Sequence, residues 1–180
     1  MKAFLDIEAS SLGDGSFPVE AGWTTEDGLT ESHLIREEPT WTAWDDISEQ
    51  IRGISRDMLA VEGLPAADVA RRLVQVLGGC DVYSDAPTAD RYWLKMLTDT
   101  AGLPPIPLMH VMQAHAEALR PQRDKMPRSA EAALALNIHR RAEAEARAAV
   151  PEQHLAGPDS RRLWVAWKSV CEQVAEALND

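Results

Sequence analysis

The sequence predicts an α/β domain built on a mixed sheet. Three observations carry this: closely spaced β-prone segments open the chain, helical and strand-like patterns then alternate, and the remainder is Ala-rich and helical. No repeat or low-complexity linker interrupts the 180 residues, enough for one well-buried domain (1–180) and too few for two comfortable ones.

Lys2 to Ile7, Val19 to Thr25 and Leu29 to Ile35 read as an antiparallel meander, with Glu26-Asp27-Gly28 as a turn. A polar connection carrying Trp41 and Trp44 follows, with short helical pieces at Asp46 to Ile51 and Ser55 to Leu59. From Pro65 to Leu77 the apolar residues Val69, Leu73, Val76 and Leu77 recur at helical spacing, and Gly78-Gly79 ends the pattern. Asp81 to Ser84 is a short strand. Pro87, suited to a first helical position, opens a helix to about Ala101, stopped by Gly102 and Pro104-Pro105. Leu108 to Val111 makes a fifth strand. The rest is helical, broken at Pro121, Pro127, Pro151 and Pro158, and closes with a helix from Pro158 to Leu178.

No apolar stretch approaches the roughly 20 residues of a membrane span, and Met1 leads into a strand without a signal-peptide pattern. Cys80 and Cys171 lie far apart with no CxxC spacing, which points to core thiols in a reducing cytoplasm. The net charge of -11 excludes a protein that grips long duplexes by neutralising phosphates. Half of the 18 basic side chains nevertheless fall within residues 120–162, among them Arg120, Arg123, Lys125, Arg128, Arg140, Arg141, Arg161 and Arg162. That window is either a solvated helical surface or a rim that guides phosphates.

The chemistry concentrates in carboxylates. Asp6 and Glu8 are separated by one residue, and strand side chains alternate faces, so both point to one side. Two acids so placed repel each other unless a cation lies between them, and a divalent metal is the simplest one. Asp90 falls in the first turn of the helix from Pro87, on the inward stripe Asp90, Leu94, Leu97 and Ala101, where an acid needs a partner. Asp85 is its competitor, more simply read as a turn or N-cap residue. Near the last helix, Gly157 reads as the cap and Pro158 as the first helical residue, so Asp159 lies in the first turn and His154 in the loop before it. Across such a junction both side chains can face one pocket.

Taken in order, Asp6-x-Glu8, Asp90 and His154-x-Ala156-x-x-Asp159 resemble the three motifs of the DEDDh (DnaQ-like) 3'-5' exonucleases, a ribonuclease H-like superfamily. Ile51 to Leu59 is similar to that family's connection between third strand and first helix. The resemblance implies a ribonuclease H-like sheet, three antiparallel strands then parallel ones, flanked by helices. It implies two divalent metal ions, Mg²⁺ or Mn²⁺, with Asp6, Glu8 and Asp159 holding one and Asp6 bridging to a second that Asp90 supports. His154 is then the general base, and Ser10, Ser11 and Leu12 lie in the loop that forms the terminal-nucleotide pocket. The expected partners are 3' ends of short single-stranded RNA or DNA; a homodimer is compatible with this. Arg52 departs from the family, many members of which carry histidine there, and Ser84-Asp85 replaces an Asn-containing run. His139 to Glu145 imitates the last motif without its Asp and reads as a charged helix.

His110 and His115 are expected on strand-end and helix surfaces and His33 on an exposed strand face, Trp164 and Trp167 in the core, and Trp41 and Trp44 as candidates to stack on a base. Two other functions share these residues: a catalytically silent binding module on the same fold, and a metal-dependent phosphohydrolase acting on nucleotides.

Overall fold

The computed structural model describes residues 1–123 and 128–179, with side chains described for all of these except 122–132, 178 and 179. Lys125 of the basic window and the expected break at Pro127 lie outside the described residues, as do the side chains of Arg123 and Arg128. Strands β1 (Lys2–Ala9), β2 (Pro18–Thr25) and β3 (Thr30–Arg36) form the meander. Gly28, at φ 87°, closes the second hairpin, donating its N–H to the Thr25 carbonyl. Helices α1 (Asp46–Arg52) and α2 (Arg56–Glu62) follow, then β4 (Leu64–Pro65), α3 (Ala66–Leu77), β5 (Asp81–Ser84), α4 (Pro87–Thr100), β6 (Leu108–His110), α5 (Val111–Arg123), α6 (Arg128–Ala149) and α7 (Ala156–Asn179).

The sheet order is β4-β3-β2-β1-β5-β6, with β1 to β3 antiparallel and β5 and β6 running parallel to β1. Strand β4 was not legible in the sequence, because a Leu-Pro pair shows no alternation; it pairs in parallel with β3 and makes Leu108–His110 the sixth strand. Two helix limits also differ from expectation. Pro121 sits inside the end of α5, where the missing N–H removes one rung without ending the helix. Helix α7 starts ahead of Pro158, since the Asp159 N–H already bonds the Leu155 carbonyl, so Gly157 lies within the first turn.

Alternation along β1 sorts its side chains between two layers. Ala3, Leu5 and Ile7 join the core formed with Val69, Leu73 and Leu77 of α3 and Leu94 and Leu97 of α4. Phe4 faces the other way, with Tyr83, Val111 and Ala114, against Leu163, Trp164 and Trp167 of α7. Each fully buried Leu, Val or Phe side chain among these contributes about 1.5–3 kcal/mol, which fixes the strand's phase. Asp6 and Glu8 share the Phe4 phase and are therefore carried to the α7 side. Among the described residues, no helix is long and apolar enough to cross a membrane.

Candidate active site

Strand β2 provides the seat on which α7 brings its acid to β1. In the β1–β2 register Gly22 lies opposite Asp6 and Glu20 opposite Glu8. A Cβ on Gly22 would stand 2.3 Å from the Ala156 carbonyl carbon, so only glycine lets the α7 backbone rest on the sheet here. On either side of Gly22 in the same phase, Glu20 accepts the Ala156 N–H at 2.8 Å and the Thr24 hydroxyl meets that of Ser160 at 3.1 Å. A carboxylate on an otherwise unpaired N–H at a helix start is favoured both as a hydrogen bond and by the dipole.

The result is a cluster in which one carboxylate oxygen from each of Asp6, Glu8 and Asp159 lies within 4.8 Å of the others. His154 precedes α7 with φ 61°, an uncommon conformation for a residue bearing a Cβ, and its backbone N–H donates to Asp159 Oδ2 at 2.9 Å. Asp90 heads α4 at the end of β5, only 2% exposed, accepting a hydrogen bond from the Ser84 hydroxyl. It stands outside the tight cluster but lines the same cavity of about 630 Å³ as Asp6, Glu8, His154 and Asp159.

Burial, then repulsion from Glu8, Asp90, Asp85 and Glu20, holds the Asp6 carboxyl well above the usual carboxylate range. Its Oδ2 is buried with no hydrogen-bond partner among the described residues. Glu8 is raised by burial, partly offset by Arg52, whose Nε lies 2.7 Å from Glu8 Oε2. Burial pushes Asp90 up to about 7 despite the Ser84 hydrogen bond. Asp159 is ion-paired to Arg162. An orphaned buried oxygen among mutually repelling, oxygen-only donors fits a hard divalent cation.

Not every expected residue reaches this cavity. Leu12 lines it and is 89% exposed, free to meet a ligand. Ser10 is buried instead, its hydroxyl accepting the Phe17 N–H at 3.1 Å, and the Ser11 hydroxyl accepts the Gly13 N–H at 3.3 Å; both tie the β1–β2 loop. Asp85 is an exposed turn residue lining the cavity, and α4 has no side-chain N-cap. Of the basic window, Arg162 lines the cavity along with Arg147, whereas Arg120, Arg140 and Arg141 are exposed surface. His115 is buried, not on the surface, with its Nδ1 3.2 Å from that of His139 and its pKa lowered to about 4 by burial and by His139 and His110. His33 is half-buried, its ring 5.5 Å from that of Trp23. Trp41 is buried and stacks on Phe17 at 5.5 Å, whereas Trp44 is half-buried, with a tilted contact to Phe17 at 6.1 Å. Trp164 and Trp167 are half-buried on α7, Trp167 packing on Phe4 at 5.4 Å.

Glu20 and Gly22 were the residues missed. Their shared phase with Thr24 along β2 was the available signal, yet nothing local says which helix would land there.

The sheet order and flanking helices define a ribonuclease H-like fold, the fold of 3'-5' exonucleases. Exonuclease I of E. coli in complex with a dA16 oligonucleotide matches with a TM-score of 0.66 at 14% identity, covering 98% of this chain and 42% of that one. Its zinc-bound form with single-stranded DNA gives 0.65 at 14% identity, over 99% and 42%. A 3'-exonuclease that recognises the histone mRNA stem-loop gives 0.61 at 12% identity, over 95% and 63%. The chain thus spans 42–63% of the length of these proteins. Neither a protein-family model nor any curated protein sequence matches it.

Proposed function

We propose that this protein is a metal-dependent 3'-5' exonuclease acting on short single strands of nucleic acid. The observation that carries the reading is the convergence of Asp6, Glu8 and Asp159 around a buried, unpartnered Asp6 oxygen. Two divalent cations, Mg²⁺ or Mn²⁺, held by Asp6, Glu8 and Asp159 with Asp90 alongside, would stabilise the attacking and leaving oxygens of an in-line displacement. His154 takes the proton of the attacking water, a role that suits an exposed imidazole tethered through its own backbone to Asp159. Leu12, at the rim of the cavity, offers an apolar contact to the terminal nucleotide. Hydrolysis breaks the P–O3' bond, the water oxygen going to phosphorus and a proton to the departing hydroxyl. Support for the polarity and the substrate comes from the likeness to exonucleases, one of them, exonuclease I, matched in two structures with single-stranded DNA. The free thiols of Cys80 and Cys171 fit a reducing cytoplasm.

The test is incubation of 5'-labelled RNA and DNA oligomers of graded length with the protein and Mn²⁺. Stepwise shortening from the 3' end is expected. Asp159→Asn and His154→Asn should each lose at least about a hundredfold in rate, with unchanged circular dichroism. Metal binding without any cleavage would refute the enzyme and leave the silent module.

A further inference from the structure

Arg52 is the feature of the site that metal ligation does not account for. It stands in the last turn of α1, a helix fixed at both ends: the Asp45 side chain accepts the Ile47 and Ser48 N–H groups, and Gly53 closes it in the left-handed region at φ 70°. The guanidinium is thereby delivered to the cavity wall, with the side chain 9% exposed and Nε 2.7 Å from Glu8 Oε2. Among the described residues Arg52 makes no second ion pair, and its side chain lines the cavity.

Asp6, beside this pair, has its Oδ2 buried without a hydrogen-bond partner among the described residues. Arg52 therefore supplies positive charge where a divalent cation would, and to the same carboxylate. When Glu8 shares its charge with a dication, its hold on the guanidinium weakens. A planar guanidinium released into a phosphate-binding cavity has an obvious new partner, because its fork matches two phosphate oxygens. Arg162, paired with Asp159, also lines this cavity.

We propose, resting on the metal-dependent reading above, that Arg52 is a placeholder cation: it holds Glu8 while the carboxylates are unloaded, yields Glu8 when a divalent cation binds, and then grips the phosphate of the terminal nucleotide. It is a positioning residue for the unloaded site and a substrate ligand for the loaded one.

The Nε–H signal of Arg52 in the ¹⁵N-labelled full chain, assigned by its loss in Arg52→Lys, reads this directly. In EDTA the proton should resonate downfield as an ion-paired donor. Saturating Mg²⁺ should move it upfield with the same midpoint as the Glu8 amide, and thymidine 5'-monophosphate should then move it a second time. Arg52→Gln should bind Mg²⁺ about tenfold more tightly, since a cation is removed from beside the carboxylates. The same variant should bind the monophosphate about tenfold more weakly in Mg²⁺, losing a charge-assisted pair. An Arg52 signal unmoved by Mg²⁺ while the Asp6 and Glu8 amides respond would overturn the placeholder role and leave the metal site standing. Amides that never respond to Mg²⁺ or Mn²⁺ would overturn both. The parent-protein spectra decide the matter even where the glutamine variant does not fold.

Discussion

Asp90 is held in an environment that resists its charge, and this has a measurable consequence for stability. Its carboxyl is raised from an ordinary 3.8 to about 7 by burial first, with the Ser84 hydrogen bond opposing and Asp85 and Glu8 adding to the rise. The folded protein therefore binds a proton that the unfolded chain releases above 3.8. Stability from this group is fully present below that value and is lost as pH rises through about 7. At about 1.36 kcal/mol per pKa unit, the roughly three-unit rise makes the ionised group cost about 4 kcal/mol above neutrality. Asp90→Asn keeps an acceptor for the Ser84 hydroxyl and cannot ionise. In EDTA the variant should therefore gain on the parent by about 3 kcal/mol between pH 4.5 and pH 8, with the gain levelling off above pH 7. Urea denaturation at half-unit pH intervals measures it, comparing midpoints at constant slope. A stability difference independent of pH, or a variant less stable than the parent at pH 8, would refute the reasoning.

Other perturbations test separate links of the structure. Gly22→Ala places a methyl where the α7 backbone now rests, and should destabilise the fold by about 1–3 kcal/mol while weakening Mn²⁺ binding, both measurable by thermal shift with and without metal. His115 titrates in the opposite sense to Asp90: its folded pKa is lowered from 6.5 to about 4, so its contribution is present above 6.5 and lost as pH falls towards 4. His115→Gln should accordingly lose about 2 kcal/mol less stability than the parent between pH 7 and pH 4.5 in matched urea titrations. Mn²⁺ at a hundred times its dissociation constant should stabilise the parent at pH 8 by about 2.7 kcal/mol, and the same concentration should barely move Asp6→Asn in the same melts.

Residues adjacent in sequence were the legible part of this protein. The phase of Asp6 and Glu8 along β1 follows from strand alternation, and the five longer strands and most helices follow from periodicity and from Gly and Pro punctuation. The ordered spacing of Asp6, Glu8, Asp90, His154 and Asp159 was enough to mark out a candidate constellation. Its closure in space was a different matter. It depends on Gly22, Glu20 and Thr24 receiving the start of α7 more than a hundred residues later, a long-range fit that no local pattern encodes. The same holds for Arg52 on Glu8 and for His115 against His139, where burial and pairing are properties of packed layers. Ser10 and Trp41 mark the converse: residues whose chemistry suggested contact with substrate were taken up by the hydrogen bond to Phe17 and by its ring. Sequence determined which side chains carry charge and to which face of each element they turn. Tertiary structure decided which of those faces meet, because that choice is set by the burial of the whole core and not by any single segment.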